Sequence, residues 1–445
     1  MKQKIKDFVQ ELLPELTTMA DAIYDKPEMA FQETFASTLL EDWLESRGFT
    51  VQRGLGSLNT AFRAEYNWGH DGPRIGLLCE YDALPNGHAC GHQLQGPAIL
   101  GAAAAMAHLF KEKDFTLIVY GTPAEEGKGG KVIMMKEGYL KDLDIALMMH
   151  GGPATQTDIK SMAKISATVT FHGKSAHAAL KPEAGRSALD AMLLSFQGIE
   201  FLREHVREDS RMHYAISNGG GAMNVVPAEA AGEYGLRSYD STYLDELIRR
   251  FELVVRGASM MTETTCDICY HQRIEGKIPA KKLNALLMEN AVLYHAPNCK
   301  PDREKTGSTD FANVMHEIPG ACIRVAFVPE GSSSHSQEYL DWGKTPQAYR
   351  AIALGSQILA ATVYDLLDDE EKFRAVQDDF AYQKQLAIKN RKSKRIWKAV
   401  GIILLVIIVF NILLVIFGGI ASKGVSTNIE TSVVEQQNGA ITGFV

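Results

Sequence analysis

The chain has 445 residues, 46% hydrophobic and 22% charged, and carries a formal net charge of −8. That length allows two or three domains with a sizeable core, and the composition excludes collagenous and disordered classes. The acidic balance gives no reason to expect a nucleic-acid partner.

Six cysteines (Cys79, Cys90, Cys266, Cys269, Cys299 and Cys322) form no disulfide-framework spacing, which points to a reducing cytoplasm for the bulk of the chain. The opening "MKQKIKDFVQELLPEL" has the pattern of an amphipathic helix and lacks the unbroken apolar core of a secretory signal. "RIGLLCEYDALP" (Arg74–Pro85), "FTLIVYGTPAEEG" (Phe115–Gly127) and "DIALMMHGG" (Asp144–Gly152) are short apolar runs, each ending in turn-forming residues. Between the first two, "GPAILGAAAAMAHLF" reads as a helix. Strands alternating with helices predict an α/β domain with helices on both faces of a central mixed sheet. In such sheets the functional loops gather at one edge.

From about Lys164 the texture changes. "AKISATVTFHGKSAH", "AEAAGEYGLRSYD" and "TCDICYHQRIEG" alternate with period two, and helical patterns occupy Ala188–Glu208 and Thr242–Met260. Two helices on a small antiparallel sheet predict an inserted α+β unit. Helix and strand patterns return in "KKLNALLMENAVLYHA", "GACIRVAFV" and a long helix from Thr345 to Leu366. The expected boundaries are 1–163 and 277–375 for the interrupted catalytic domain, 164–276 for the insert, and 376–398 for a charged connector. The apolar stretch Ala399–Ala421 reads as a transmembrane helix, followed by a tail over 422–445. About 22 residues at roughly 1.5 Å each are enough to cross a hydrocarbon core. Basic residues crowd "KNRKSKRIWK" before the span and only Lys423 follows it, so the expected placement is a membrane-anchored protein with a cytoplasmic catalytic domain.

Where the strand patterns stop, metal-binding residue types recur: Cys90 and His92, the Glu125–Glu126 pair, His150, and His335 in "GSSSHSQEY". If those strands are neighbours, their ends converge, and five ligands suffice for two metal ions. Adjacent strand residues face opposite ways, so one of Glu125 and Glu126 can ligate while the other acts as general base. A solvated acidic turn is the plain alternative. "GTPAEEGKGG" imitates a phosphate loop, but Gly129 stands where Ser or Thr is required, and nucleotide binding is rejected. "CDIC" (Cys266–Cys269) lacks a second pair and sits in a strand pattern, which makes core or edge cysteines the better reading. A Cys90 nucleophile with His92 or His150 as base is the rival chemistry. A membrane-tethered binding protein that does not cut is the rival class.

In order along the chain, "CEYDALPNGHACGH", "GTPAEEGKGG", "MHGG", "GKSAHAALKPEAGRSALDA", "GAMNVVPAEA", "GSTDFANV" and "SSSHSQEY" resemble the motifs of the M20 metallopeptidases. The likeness is to the amidohydrolase branch that includes aminobenzoyl-glutamate and auxin-conjugate hydrolases and related dipeptidases, over roughly residues 5–375. It implies a zinc-peptidase-like α/β domain with an inserted lid that forms a homodimer. The implied cofactors are two divalent metal ions, Zn²⁺ or Mn²⁺, on Cys90, His92, Glu126, His150 and His335. The implied base is Glu125, and His177 would polarise the substrate carbonyl, reaching across the dimer. Asn224 and Arg237 would hold the substrate, and Asp82 would orient a ligand. The implied substrates are N-acyl amino acids or dipeptides. Two departures from the wider family are Glu80, where many members have His, and Gln93, where Asp commonly follows "CGH".

Overall fold

The computed structural model describes residues 1–388. Two amphipathic helices open the chain: α1 (Lys2–Asp25), which buries Ile5, Val9, Leu12, Leu16 and Ile23 along one stripe, and α2 (Thr34–Ser46). A hairpin follows, β1 (Thr50–Leu55) and β2 (Leu58–Trp68), and then β3 (Arg74–Cys79). After a loop and a single 3₁₀ turn come α3 (Gln95–Leu109), β4 (Phe115–Gly121), α4 (Gly130–Glu137) and β5 (Ile145–Gly152). The chain re-enters this layer later through α7 (Lys281–Leu293), α8 (Phe311–Val314), β10 (Gly320–Ala326), α9 (Gln337–Trp342) and α10 (Pro346–Asp368).

The main sheet runs β1-β2-β4-β3-β5-β10 and is mixed as expected. β4, β3, β5 and β10 are mutually parallel, while β2 pairs antiparallel with β4 and with β1. Fully buried strands such as β4 have both faces covered. One face carries Leu78, Ile118, Tyr120 and Met148 against Met134 of α4 and Phe311 and Val314 of α8. The other is roofed by α3, α1 and α10 packed on one another. α10 is long and apolar enough by composition to cross a membrane, yet it is almost wholly buried in this core.

Residues 163–270 supply the second sheet. Its strands are β6 (Ala163–His172), β7 (Ser210–Asn218), β8 (Glu229–Ser238) and β9 (Thr265–Tyr270), all antiparallel in the order β7-β8-β6-β9. β6 buries every second residue, and α5 (Ala188–Glu204) and α6 (Ser241–Met261) cover that apolar face. Both helices start on side-chain caps: Ser187 accepts from the Asp190 N–H, and Asp240 from those of Thr242 and Tyr243. Cys266 packs on this core while Cys269 is exposed on the edge strand β9.

Several elements go beyond the sequence expectation, among them the short helices α2, α4, α8 and α9. The β1–β2 hairpin extends the main sheet, β7 forms an edge of the second, and the polar stretch read as a connector is helical over 370–384, with Val376 and Phe380 buried. The apolar segment Ala399–Ala421 and the tail lie outside the described residues.

Candidate active site

The parallel strands β3, β4, β5 and β10 deliver their carboxyl ends to one edge: Cys79 is level with Gly121, Leu78 with Met148, and His150 with Arg324. Cys90 and His92 lie in the loop after β3. Gly91 between them turns the chain through φ +84°, and a Cβ there would come within 3.2 Å of the Phe327 ring. Glu125 and Glu126 follow β4, next to Ala124 at φ +61°. His150 is itself in β5. His335 is not at a strand end, contrary to the sequence expectation. It stands on the loop beyond β10, because Pro329 and Gly331 (φ +95°) turn the chain back, and its N–H donates to Ala89 at 2.8 Å. His335 adopts φ +71°, a left-handed conformation held by its surroundings.

These side chains meet. Cys90, His92 and His150 form one group, Cys90, Glu126 and His335 a second, and His92, Glu125 and Glu126 a third, each with donor atoms within 4.8 Å of one another. Cys90 Sγ lies 3.6 Å from His150 Nε2, and His335 Nε2 lies 3.1 Å from Glu126 Oε1. That last contact lacks hydrogen-bond alignment, so Glu126 Oε1 remains buried with no hydrogen-bond partner, as does His92 Nε2. Buried lone pairs aimed at a common point fit metal ligation. Thiolate, imidazole and carboxylate together suit a borderline cation such as Zn²⁺ or Mn²⁺. Cys90 and His92 are each shared by two of the groups, so either would be available to both ions of a two-ion site.

The supports are in place. Asp82 lies 3.2 Å from His92 Nδ1 through Oδ1, and its Oδ2 accepts the Glu126 N–H at 2.9 Å. His150 Nδ1 sits 2.7 Å from Gly151 O, an arrangement that leaves Nε2 to face Cys90. Burial and then Arg324 push the His150 imidazole down to about 3, so it is neutral as a ligand must be. Burial pushes the Cys90 thiol up to about 12, while His92 beside it acts in the opposite direction. Burial, then Glu80 and Asp310, hold the Glu125 carboxyl well above the usual carboxylate range.

A buried ion network that the sequence reading missed lies beneath Glu125. Lys131 Nζ contacts Glu80 Oε1 at 2.6 Å and Asp310 Oδ1 at 2.7 Å, and Gln95 Nε2 donates to Glu80 Oε2 at 2.8 Å. Gly130, just before Lys131, lets the start of α4 lie against the chain after β4, since a Cβ there would lie 2.1 Å from Pro123 O. Glu80, at the position that departs from the wider family, is 3.4 Å from His92 Nε2.

Cys90, Glu125, Glu126, His150 and His335 line a cavity of about 390 Å³ together with Arg237, Lys277, Arg303 and Arg324. Arg237 is thus brought to the site. His177 and Asn224 are not. They are exposed neighbours at the far end of the second sheet, where the Ala178 N–H donates to Asn224 O at 3.0 Å and His177 bridges to Val225. His88 is buried with Nε2 3.1 Å from Ile23 O, in keeping with a structural role.

A mixed α/β sheet with a thiol, three imidazoles and two carboxylates gathered at one edge, on a strand end and the loops beyond the strands, has the arrangement of a two-metal hydrolase. Residues 76–364 match the Peptidase family M20/M25/M40, and the chain belongs to that family. It is 32% identical to a p-aminobenzoyl-glutamate hydrolase chain of Escherichia coli, over 84% of this chain and 94% of that one. It is 30% identical to human Xaa-Arg dipeptidase, over 86% and 93% respectively. In fold it resembles a putative aminohydrolase from Staphylococcus aureus (TM-score 0.68, 17% identity, 82% of this chain and 100% of that one). It also resembles a dinuclear metal-binding peptidase of the M20 family from Bacillus subtilis (TM-score 0.62, 19% identity, 81% and 99%). The chain is a metal-dependent hydrolase of amide or peptide bonds with a two-ion cofactor.

Proposed function

We propose that this enzyme hydrolyses the amide bond of N-acyl amino acids or dipeptides, with Cys90, His92, Glu126, His150 and His335 as the metal ligands. The observation that carries this is the pair of donor groups joined at Cys90 inside a cavity that also holds an unpaired arginine, Arg237. The relatives named for a p-aminobenzoyl-glutamate and for Xaa-Arg dipeptides support amides of a free amino acid, though the two differ in the charge of the amino acid released.

Cys90, His92, Glu126, His150 and His335 would hold two divalent cations, which when bound would supply Lewis acidity toward a carbonyl and lower the pKa of a water. Glu125 takes the proton from that water and delivers it to the departing amine. Asp82 keeps His92 and the Glu126 backbone in place. Arg237 pairs with the substrate's α-carboxylate through its planar fork. His177 and Asn224 act on a neighbouring copy, consistent with their exposure and their distance from this chain's own cavity. The copies join through the second sheet. Its edge strand β7 exposes Tyr214 and Ile216, and Leu193 and Phe201 of α5 are exposed nearby. The apolar stretch Ala399–Ala421 anchors the chain in a membrane with residues 1–388 in the cytoplasm. Protease treatment of intact cells that removed those residues would contradict this orientation.

Glu125→Gln tests the chemistry. Turnover on an N-acyl amino acid and dipeptide panel should fall by roughly 10²–10⁴-fold while metal content stays at two per chain. A fully active variant would remove Glu125 as the base.

A further inference from the structure

The cavity that holds the ligand groups is strongly cationic away from them. Lys277 Nζ, Arg303 Nε and Arg324 Nε all converge on one buried carboxylate, Asp158, at 3.0, 2.9 and 3.3 Å. Three positive charges around one negative charge leave two uncompensated, and all three cations line the cavity. Arg237 adds a further charge. Among the described residues no hydrogen bond or ion pair engages its guanidinium, and its register neighbours on both sides, Lys164 of β6 and Arg211 of β7, are also cations. The lining carboxylates cannot balance this excess. Glu125 and Glu126 belong to the ligand groups, and Glu80 is already held by Lys131 and Gln95. Ser308 Oγ, shielded from solvent and without a partner, faces the same space.

Partly desolvated cations without counter-charges are unfavourable, and a ligand that supplies the missing anions relieves them. An N-acyl amino acid with a neutral side chain brings a single carboxylate, which Arg237 takes. The excess around Asp158 then stays unbalanced, and a basic side chain would increase it. We propose that the preferred substrates are amides of acidic amino acids, with the α-carboxylate on Arg237 and the side-chain carboxylate received by the Lys277–Arg303–Arg324 cluster. This rests on the hydrolase reading above and narrows it to one substrate class.

The test is a matched panel with a common acyl group: N-benzoyl-glutamate, N-benzoyl-glutamine and N-benzoyl-arginine, on the metal-loaded full chain. The glutamate amide should exceed the glutamine amide in kcat/KM by roughly 10–100-fold, with the arginine amide lower still. In Arg303→Gln the glutamate-to-glutamine ratio of kcat/KM should collapse toward 1, chiefly through the KM of the glutamate amide. Calorimetry of free glutamate, glutamine and arginine on metal-loaded Glu125→Gln reads the same preference without turnover. If no amide is cleaved, the hydrolase reading fails by itself, and glutamate binding tightest still upholds the acidic preference. Glutamine or arginine bound or cleaved as well as glutamate overturns it.

Discussion

Asp82 and His92 form a buried pair, with the carboxylate Oδ1 3.2 Å and the Asp82 carbonyl 3.0 Å from the imidazole Nδ1. The ring's other nitrogen is thereby turned toward Cys90 and Glu126, and neither residue is exposed beyond 1%. Ligand orientation by such a partner typically decides 10–100-fold in metal affinity. Asp82→Ala should therefore weaken Zn²⁺ or Mn²⁺ binding by about that factor, measured by competition with a chromogenic chelator. Unchanged affinity would remove Asp82 from the supporting role.

Lys131 offers a test of stability separate from metal binding. It is fully buried between Glu80 and Asp310, and removing one partner of a buried ion network commonly costs about 3–5 kcal/mol. Lys131→Met leaves two carboxylates facing each other and should lower unfolding stability by that order. Urea denaturation of the chelated variant against chelated wild type reads it, and a loss below about 1 kcal/mol would contradict the network's importance.

These two residues also mark the limit of what the sequence discloses. The residues that cluster were legible because apolar runs break off at Glu125–Glu126 and His150, residue types with little reason to punctuate buried strands. Lys131 reads as a solvated lysine in a glycine-rich turn. Its burial depends on partners 51 and 179 positions away, a relationship no local pattern contains. The β1–β2 hairpin escaped for another reason: its strands carry Arg53, Arg63 and Glu65, and Arg53 is paired by Glu41 of α2 while Arg63 and Glu65 pair with each other along β2. Arg237 and His177 looked alike as motif residues, and only the fold separates them, one in the cavity and the other outside it.

Asp158 gives a pH-dependent prediction. Burial alone would raise its carboxyl, but Lys277, then Arg324 and Arg303, outweigh burial and hold it well below the usual carboxylate range. A carboxylate with a lowered folded pKa contributes stability that is fully present above its unfolded value, about 3.9, and is shed as pH falls toward the folded value. Asp158→Asn should be less stable than wild type at pH 7, with the gap narrowing by roughly 1 kcal/mol per pH unit below about 3.9. Thermal denaturation across that range checks it. A constant gap would mean that the charge of Asp158 is not what matters.

The proposed dimer makes its own prediction. Ile216 is 55% exposed on the edge strand β7. Placing a charge there, Ile216→Lys, should shift the protein toward monomer in light scattering with little change in melting temperature. If His177 serves a neighbouring cavity, turnover should fall in parallel with the dimer fraction. A variant that is monomeric yet fully active would dissociate His177 from catalysis.

Metal content and turnover measured on the same samples, before and after dialysis against a strong chelator, address the ligand set most directly. The account predicts two divalent ions per chain, loss of amide hydrolysis as they leave, and recovery on adding Zn²⁺ or Mn²⁺. Undiminished hydrolysis by folded protein stripped of both ions would contradict it.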